Sequence, residues 1–429
     1  MISVTETPEV GEQRGSAAAK VLVVPRPVRD YLRDTLSDET LDSLNFRAAD
    51  ILFGSDWMSG STKWPADLDY SSSKCRSADI ANASALITRL FRHHRDDPQS
   101  RESMALLSLA ASFVEALNEG SHYSSTSNFC QDMLPLIGEE YPQEKKAQLL
   151  RHYARALRML GSKEKATTIS REVLDYPMDK SARQSLLLNL AFLLEAASDP
   201  EAVEIAKEII KINRHNGPGY QAQAIIFEAL PEGSDRTRKL KSLQQAARRK
   251  KLNIVADNIA FTLADETEDQ DEAETLLIGV LTSAEREKEF YNSGRATLEL
   301  ADRKMDAGEA LNPGDLTRLI NCYQFLLSER VPWMLDKCHR ILWRAFVARR
   351  EWTNLLTLFR YSSVIWRLRG DEKKEGDYLE QLQAALQESG IKELPNNPLT
   401  QYFKARIPQI KAVATKRSKA IPVLLGADG

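Results

Sequence analysis

The chain has 429 residues, 42% of them apolar and 28% charged, a composition that folds and that excludes a disordered or fibrous polymer. Its 58 basic and 61 acidic side chains leave a formal charge of −3, so no global field marks a nucleic-acid or membrane-surface binder. Cys75, Cys130, Cys322 and Cys338 stand far apart without a C-x-x-C pair, which predicts neither a disulfide framework nor a zinc site.

Residues 1–19 are polar and rich in Gly, Ser, Thr and Glu, as expected of a disordered tail. The first residues lack a basic segment followed by an apolar core, so no signal peptide is expected. No apolar run approaches the roughly 20 residues that cross a bilayer, and the expected location is the cytoplasm. Val21-Leu22-Val23-Val24-Pro25 reads as a strand closed by proline, with a helix beginning at Val28. A second helix runs from Asp38 to about Phe53, with Leu41, Leu44, Ala48, Ile51 and Leu52 at helical spacing.

The strand and the turn Pro25-Arg26-Pro27-Val28-Arg29-Asp30-Tyr31-Leu32 resemble the end of the winged-helix segment in STAND-type signalling NTPases, where such a turn leads into helical repeats. No G-x-x-x-x-G-K-[ST] loop is present. The segment Gly54–Lys63 has the ingredients of a phosphate loop, but its lysine comes after the hydroxyl residues. The resemblance therefore implies a sensor or regulatory portion of a bacterial signalling or defence system, with the NTPase or effector on another chain. Residues 54–73, with Trp57, Trp64 and a serine run, read as a linker that closes an N-terminal segment over 20–73.

From Lys74 onward the pattern predicts helix after helix: 76–95, 99–118, 124–140, 143–160, 163–176, 180–197, 200–213, 219–230, 236–250, 253–265, 271–284, 287–307, 314–328, 333–348, 352–368 and 372–388. The connections are short and carry Gly, Pro, Asp or Asn. Helical hairpins over 74–140 thus precede a repeat array over 141–390. A C-terminal tail, 391–429, turns basic at Lys411, Lys416, Arg417 and Lys419.

The array has an internal echo. Asn189-Leu190-Ala191-Phe192-Leu193-Leu194 returns as Asn258-Ile259-Ala260-Phe261-Thr262-Leu263, 69 residues later, and each copy leads through an acidic turn into a second apolar helix. That spacing is about twice 34, the period of a two-helix repeat. Units over 147–180, 186–213, 255–284 and 353–386 place small and bulky residues in the same order, with Ala154, Gly161, Ala166 and Pro177 in the first and Trp366, Gly370 and Tyr378 in the last. These segments resemble tetratricopeptide repeats. The resemblance implies an all-α, right-handed solenoid of helix hairpins, with a concave groove for a protein or peptide and no cofactor.

Arg151, Arg155 and Arg158 share one helix face with Gln148, and in that register they line the groove; Arg360 and Arg367 take the corresponding places in the 353–386 unit. A row of guanidinium groups suits a carboxylate or phosphate ligand. Arg236, Arg238, Lys239, Lys241, Arg248, Arg249, Lys250 and Lys251 fall in a stretch without acids, the footprint of an acidic partner or a nucleic-acid backbone. Aromatic residues to stack on bases are missing there, and Asp265–Glu274 stands one helix later to neutralise it. Trp333, Trp343, Trp352 and Trp366 read as seam packing between helices. A single Glu119–His122 pair is not the double motif of a di-iron bundle, and no G-x-S-x-G or H-E-x-x-H motif is present. The sequence thus predicts a non-catalytic scaffold or adaptor, with no metal and no membrane span. Its alternatives are the sensor role and nucleic-acid binding at 236–251.

Overall fold

A computed structural model describes residues 3–6, 20–23, 31 and 34–388 except 60–62, 66 and 330, with short pieces at 399–401, 404–405 and 408–409. Two four-residue strands, Ser3–Glu6 and Lys20–Val23, pair antiparallel with Ser3 opposite Val23. The rest of the expected tail over 1–19 lies outside the described residues, as do Pro25–Asp30 and Leu32 of the winged-helix resemblance. So does the basic stretch after Lys411.

The chain divides into two compact units, Met1–Ala296 and Thr297–Gly429. In the first, α1 (Asp38–Phe53), α2 (Ser77–His94), α3 (Arg101–Glu119) and α4 (Tyr123–Met133) lead into α5 (Gln143–Met159) and α6 (Lys163–Val173). Three further hairpins follow: α7 (Lys180–Glu195) with α8 (Glu201–Ile212), α9 (Gly217–Glu228) with α10 (Ser234–Arg249), and α11 (Asn253–Glu266) with α12 (Gln270–Glu287). Then α13 (Phe290–Asp306) runs past the division, and α14 (Pro313–Glu329), α15 (Pro332–Arg349), α16 (Trp352–Leu368) and α17 (Glu372–Glu388) complete the second unit. The predicted all-α array of antiparallel hairpins is what forms.

Local chemistry sets these boundaries. Ser37, Ser100, Asp179, Asn216 and Asp269 each accept a backbone N–H in the first turn of the helix they precede, so orphan donors are satisfied where the pattern starts. One predicted helix, 124–140, is shorter than its pattern. Pro135 has no N–H to continue the ladder, and α4 gives way at Met133 to a 3₁₀ turn over Leu134–Leu136. Gly161 ends the α5–α6 turn at φ 81°, a left-handed conformation that a side chain would strain.

Alanines let the hairpins of the first unit close. Ala154, Ala166, Ala191, Ala206, Ala256 and Ala273 are fully or almost fully buried, and Leu190, Ile209, Ile259 and Leu277 fill the seams beside them. Trp57, Trp64 and Tyr70 of the expected linker over 54–73 are instead part of this core. Trp57 is 1% exposed and donates its indole N–H to Asp50 at 3.1 Å, while Tyr70 donates to the Leu52 carbonyl and packs edge-on against Trp64 and Phe113. Aromatic bulk without helical period still needs burial, and a core at the end of an array offers it. The same apolar cluster runs on through Phe129 and Tyr153 to Leu193, joining the hairpins of 74–140 to the array.

The second unit packs around His339 on α15. Its Nδ1 and the Tyr323 hydroxyl both hydrogen-bond the Ser362 hydroxyl at 2.6 Å, and Trp343, Trp366 and Tyr378 surround the ring. Burial pushes this imidazole down to about 3, so it stays neutral in the folded protein. Here α13 meets α15 through ion pairs, and α14 meets α16 through Tyr323 and Ser362. Thus α13 and α15 share one layer and α14 and α16 the other, while α16 also packs on α17 through Trp366–Tyr378 and Ser363–Glu375.

Candidate functional site

The first helices of the hairpins make one continuous row in the first unit, and polar side chains link them step by step. Gln148 on α5 donates to Glu115 on α3 at 3.4 Å, and Arg158 donates through Nε to Asn189 on α7 at 2.7 Å. Asn258 on α11 donates to Gln221 on α9 at 3.1 Å, and Asn292 on α13 to Asn258 at 3.3 Å. Thr262 donates to Glu228 on α9 at 2.7 Å. The two ends of the row come within electrostatic reach of each other: Arg155 favours the ionised form of Glu289, and Arg158 that of Tyr291, both at the start of α13. The row therefore curls with this face on its inside.

Arg151, Arg155 and Arg158 lie on that inner face. Arg155 is exposed and the other two are half-buried. Arg151 donates to His152 Nε2 at 3.2 Å, which requires a neutral imidazole; burial first, and Arg151 and Arg155 next, hold His152 well below its ordinary value. Arg151 Nε is buried without an acceptor from the protein. The Arg158 guanidinium lies 5.0 Å from the centre of the Phe192 ring. Burial lowers the pKa of Arg151 and Arg158 and Arg155 adds to it, while Glu115 and Asp179, beyond ion-pair distance, act the other way on Arg151. Among the described residues no carboxylate lies within ion-pair distance of any of the three arginines. Three like charges thus converge on one helix face, held by an amide, an imidazole and an aromatic ring, none of which neutralises them.

The other predicted residues are placed differently. Arg360 and Arg367 sit on α16 in the second unit. Arg367 donates to the Ser363 carbonyl and faces Glu375 at 3.7 Å. In the basic stretch, Arg236 pairs with Glu266, Arg238 and Lys239 with Asp235, Lys241 with Glu272, and Arg248 with Asp257 and the Ser283 hydroxyl. Arg249, Lys250 and Lys251 are exposed at the α10–α11 corner. The acids that neutralise the stretch come from α11 and α12 and from Asp235 just before it.

Other polar features close on themselves. His122 bonds the Ser72 carbonyl at 2.9 Å, which uses the histidine of the Glu119–His122 pair structurally. A cleft of about 780 Å³ between α1, α2 and α4 contains the Asp42–His93 contact at 3.0 Å and the Asn45–Arg89 bond at 3.3 Å. Among the described residues no group of His, Cys, Asp and Glu is placed to hold a metal, and no helix is long and apolar enough to cross a membrane. Sequence reading missed the polar ladder. Its signal was available, since Glu228 and Thr262, and Asn258 and Asn292, are each one repeat of 34 residues apart.

No family model matches the chain, and no curated protein matches it. Among solved structures it is similar to the human IFIT1 dimer with m7Gppp-AAAA, at 16% identity and a TM-score of 0.35, over 74% of this chain and 69% of that one. A likeness that loose bears on neither the ligand nor the mechanism of this chain.

Proposed function

We propose that this chain is a non-catalytic helical-repeat scaffold of the cytoplasm that holds an acidic segment of a protein or peptide partner on the inner face of its first unit. The observation that carries the reading is the set Arg151, Arg155 and Arg158, three guanidinium groups on one helix face with no carboxylate in contact. Burying that much like charge without a counter-ion costs stability, and an incoming carboxylate relieves it while gaining charge-assisted, bidentate hydrogen bonds. Arg155 offers the open fork, and Arg151 Nε offers a donor with no acceptor of its own. The resemblance around Pro25–Leu32 makes an NTPase or effector on another chain the partner to try first.

The test is fluorescence anisotropy with a labelled oligoglutamate peptide against the full chain and its Arg151→Ala/Arg155→Ala/Arg158→Ala variant. Affinity is expected to fall on the order of ten- to a hundredfold in the variant, and to weaken with added salt in the native protein. Equal affinity of the two proteins would sink the assignment of the face. A single-stranded RNA run in parallel serves as the competing anion; if it binds more tightly than the peptide in moderate salt, the partner class is nucleic acid instead.

A further inference from the structure

Two neighbouring corners of the array carry cations that the fold does not use. Pairing within the basic stretch leaves Arg249, Lys250 and Lys251 exposed at the α10–α11 corner, and the α8–α9 corner exposes Lys211, Arg214 and His215. The corners adjoin: a Cβ on Gly217, at the start of α9, would come within 4.0 Å of the Val255 side chain on α11. Among the described residues none of these cationic side chains meets a carboxylate. The acids nearby are engaged elsewhere. Glu208 faces Arg183 at 3.6 Å, Asp257 is paired with Arg248, and Glu287 accepts from Asn253 at 2.9 Å and meets Arg286 at 3.4 Å.

The α8–α9 corner is held by two buried amides. Gln184 of α7, 1% exposed, donates to the carbonyls of Ile209 at 3.0 Å and Asn213 at 2.7 Å, and accepts from Asn216 at 2.7 Å. Gln223 of α9 donates to the carbonyls of Arg214 at 3.2 Å and Gly219 at 3.1 Å, and accepts from Arg214 Nε at 3.2 Å. Glycine is required at 219, because a Cβ there would stand 2.2 Å from the Asn213 carbonyl oxygen. The turn and the root of the Arg214 guanidinium are thus fixed, while its two terminal nitrogens have no partner among the described residues. A cation placed in advance loses less entropy when a ligand arrives.

Arg214 and His215 line a cleft of about 320 Å³ between α9 and α10, with Tyr220 and Phe227 on one wall and Lys239 and Ser242 on the other. Tyr220 and Phe227 lie on a different face of α9 from Gln221 and Glu228, so the cleft lies away from the inner face. Ala246 also lines it, and Lys250 follows Ala246 by one turn on the same face of α10. No acid lines the cleft. Lys239 is paired at 2.7 Å with Asp235, which is not part of its walls.

Aromatic walls and an unpaired cationic rim fit a group that is flat at one end and doubly charged at the other. A phosphate offers three acceptor oxygens to donors from separate elements, one more than a carboxylate. The volume is at the lower end for small-molecule sites, about 300 Å³. We propose that this cleft binds a phosphate monoester carried on a flat organic group, with the phosphate on Arg214 and Lys250 and the organic part against Tyr220 and Phe227. A free nucleotide and a phosphorylated tyrosine of a partner both supply that chemistry.

The test is isothermal titration of the full chain with adenosine monophosphate, adenosine, inorganic phosphate and a phosphotyrosine peptide. The monophosphate is expected to bind on the order of tenfold more tightly than adenosine or inorganic phosphate. Arg214→Ala and Lys250→Glu should each weaken it on the order of tenfold, and both variants should keep oligoglutamate binding. Lys250 makes no side-chain contact among the described residues, so its variant separates loss of the ligand from loss of the corner. The Arg151→Ala/Arg155→Ala/Arg158→Ala variant should bind the monophosphate as the native chain does. A phosphotyrosine peptide that binds more tightly than the nucleotide, and is weakened by both variants, identifies a phosphorylated partner as the source; the opposite order identifies a free nucleotide. Adenosine binding as tightly as its monophosphate, affinity unchanged in both variants, or no binding of either phosphate monoester would overturn the site. Loss of the monophosphate in the triple-alanine variant alone would also overturn it, by moving the phosphate to the inner face.

Discussion

One helix face in each unit handles its cations in the opposite way. In the second, α15 carries Lys337, Arg340 and Arg344 along one face, and each meets an acid on α13: Lys337 meets Glu299 at 2.7 Å, Arg340 meets Asp302 at 3.1 Å, and Arg344 meets Asp306 at 2.9 Å. In the first, α5 carries Arg151, Arg155 and Arg158 at the same helical spacing, and none meets a carboxylate among the described residues. Two stripes that look alike along the chain therefore differ in what stands one hairpin away. Compensated cations fasten neighbouring helices, while uncompensated ones leave a field that only a partner can satisfy.

The comparison breaks most visibly if the second unit is damaged and the first is not. Trp366 is 2% exposed, stacks on Tyr378 at 5.0 Å and packs against His339. Replacing it with alanine opens a cavity at the centre of that core and is expected to cost about 3–5 kcal/mol. Calorimetry should then show an early transition of the second unit, with oligoglutamate binding retained at temperatures below it. Loss of peptide binding in that variant under folding conditions would mean that the two units do not divide structure and recognition as argued.

A middle-sized effect tests the compensation itself. Asp302 is the acid shared by Lys337, Arg340 and Arg344. Asp302→Ala is expected to cost about 1–2 kcal/mol in urea denaturation, because it strips the common partner from two partly buried cations and one exposed one. It should also give the second unit a weak, salt-sensitive affinity for oligoglutamate, measurable in the background of the α5 triple-alanine variant. A variant that is destabilised yet gains no anion binding would show that uncompensated arginines alone do not make a site.

Much of the fold was legible because the repeat writes its periods into the sequence. The Asn189 and Asn258 phrases mark equivalent first helices, and the caps at Asp179, Asn216 and Asp269 mark where helices start. The packed 54–73 segment was not legible, since Trp57, Trp64 and Tyr70 follow no period and gain their meaning only from the end of the array that they cover. Charge was the least legible feature. Arg236 to Lys251 read as a bare cationic run because Glu266 and Glu272, which neutralise Arg236 and Lys241, come from the following helices.

The finest form of the comparison sets two single arginines against each other. Arg155 and Arg340 are both exposed, and both lie on first helices of their hairpins. They differ in company: Arg340 is ion-paired with Asp302, while Arg155 has no carboxylate within ion-pair distance among the described residues and stands beside two other guanidinium groups. Arg340→Ala removes one exposed ion pair from a network that keeps Lys337 and Arg344, so stability should change by less than about 0.5 kcal/mol and peptide affinity should hold. Arg155→Ala removes a repulsive neighbour of Arg151 and Arg158 together with a more distant attractive one of Glu119 and Glu289, so stability should change little. Its peptide affinity should nevertheless fall, on the order of three- to tenfold. A residue whose removal leaves the fold as stable as before and weakens only binding has no structural duty to explain its position. Equal affinities of Arg155→Ala and Arg340→Ala would mean that the charge left over on α5 is an accident of packing rather than a recognition surface.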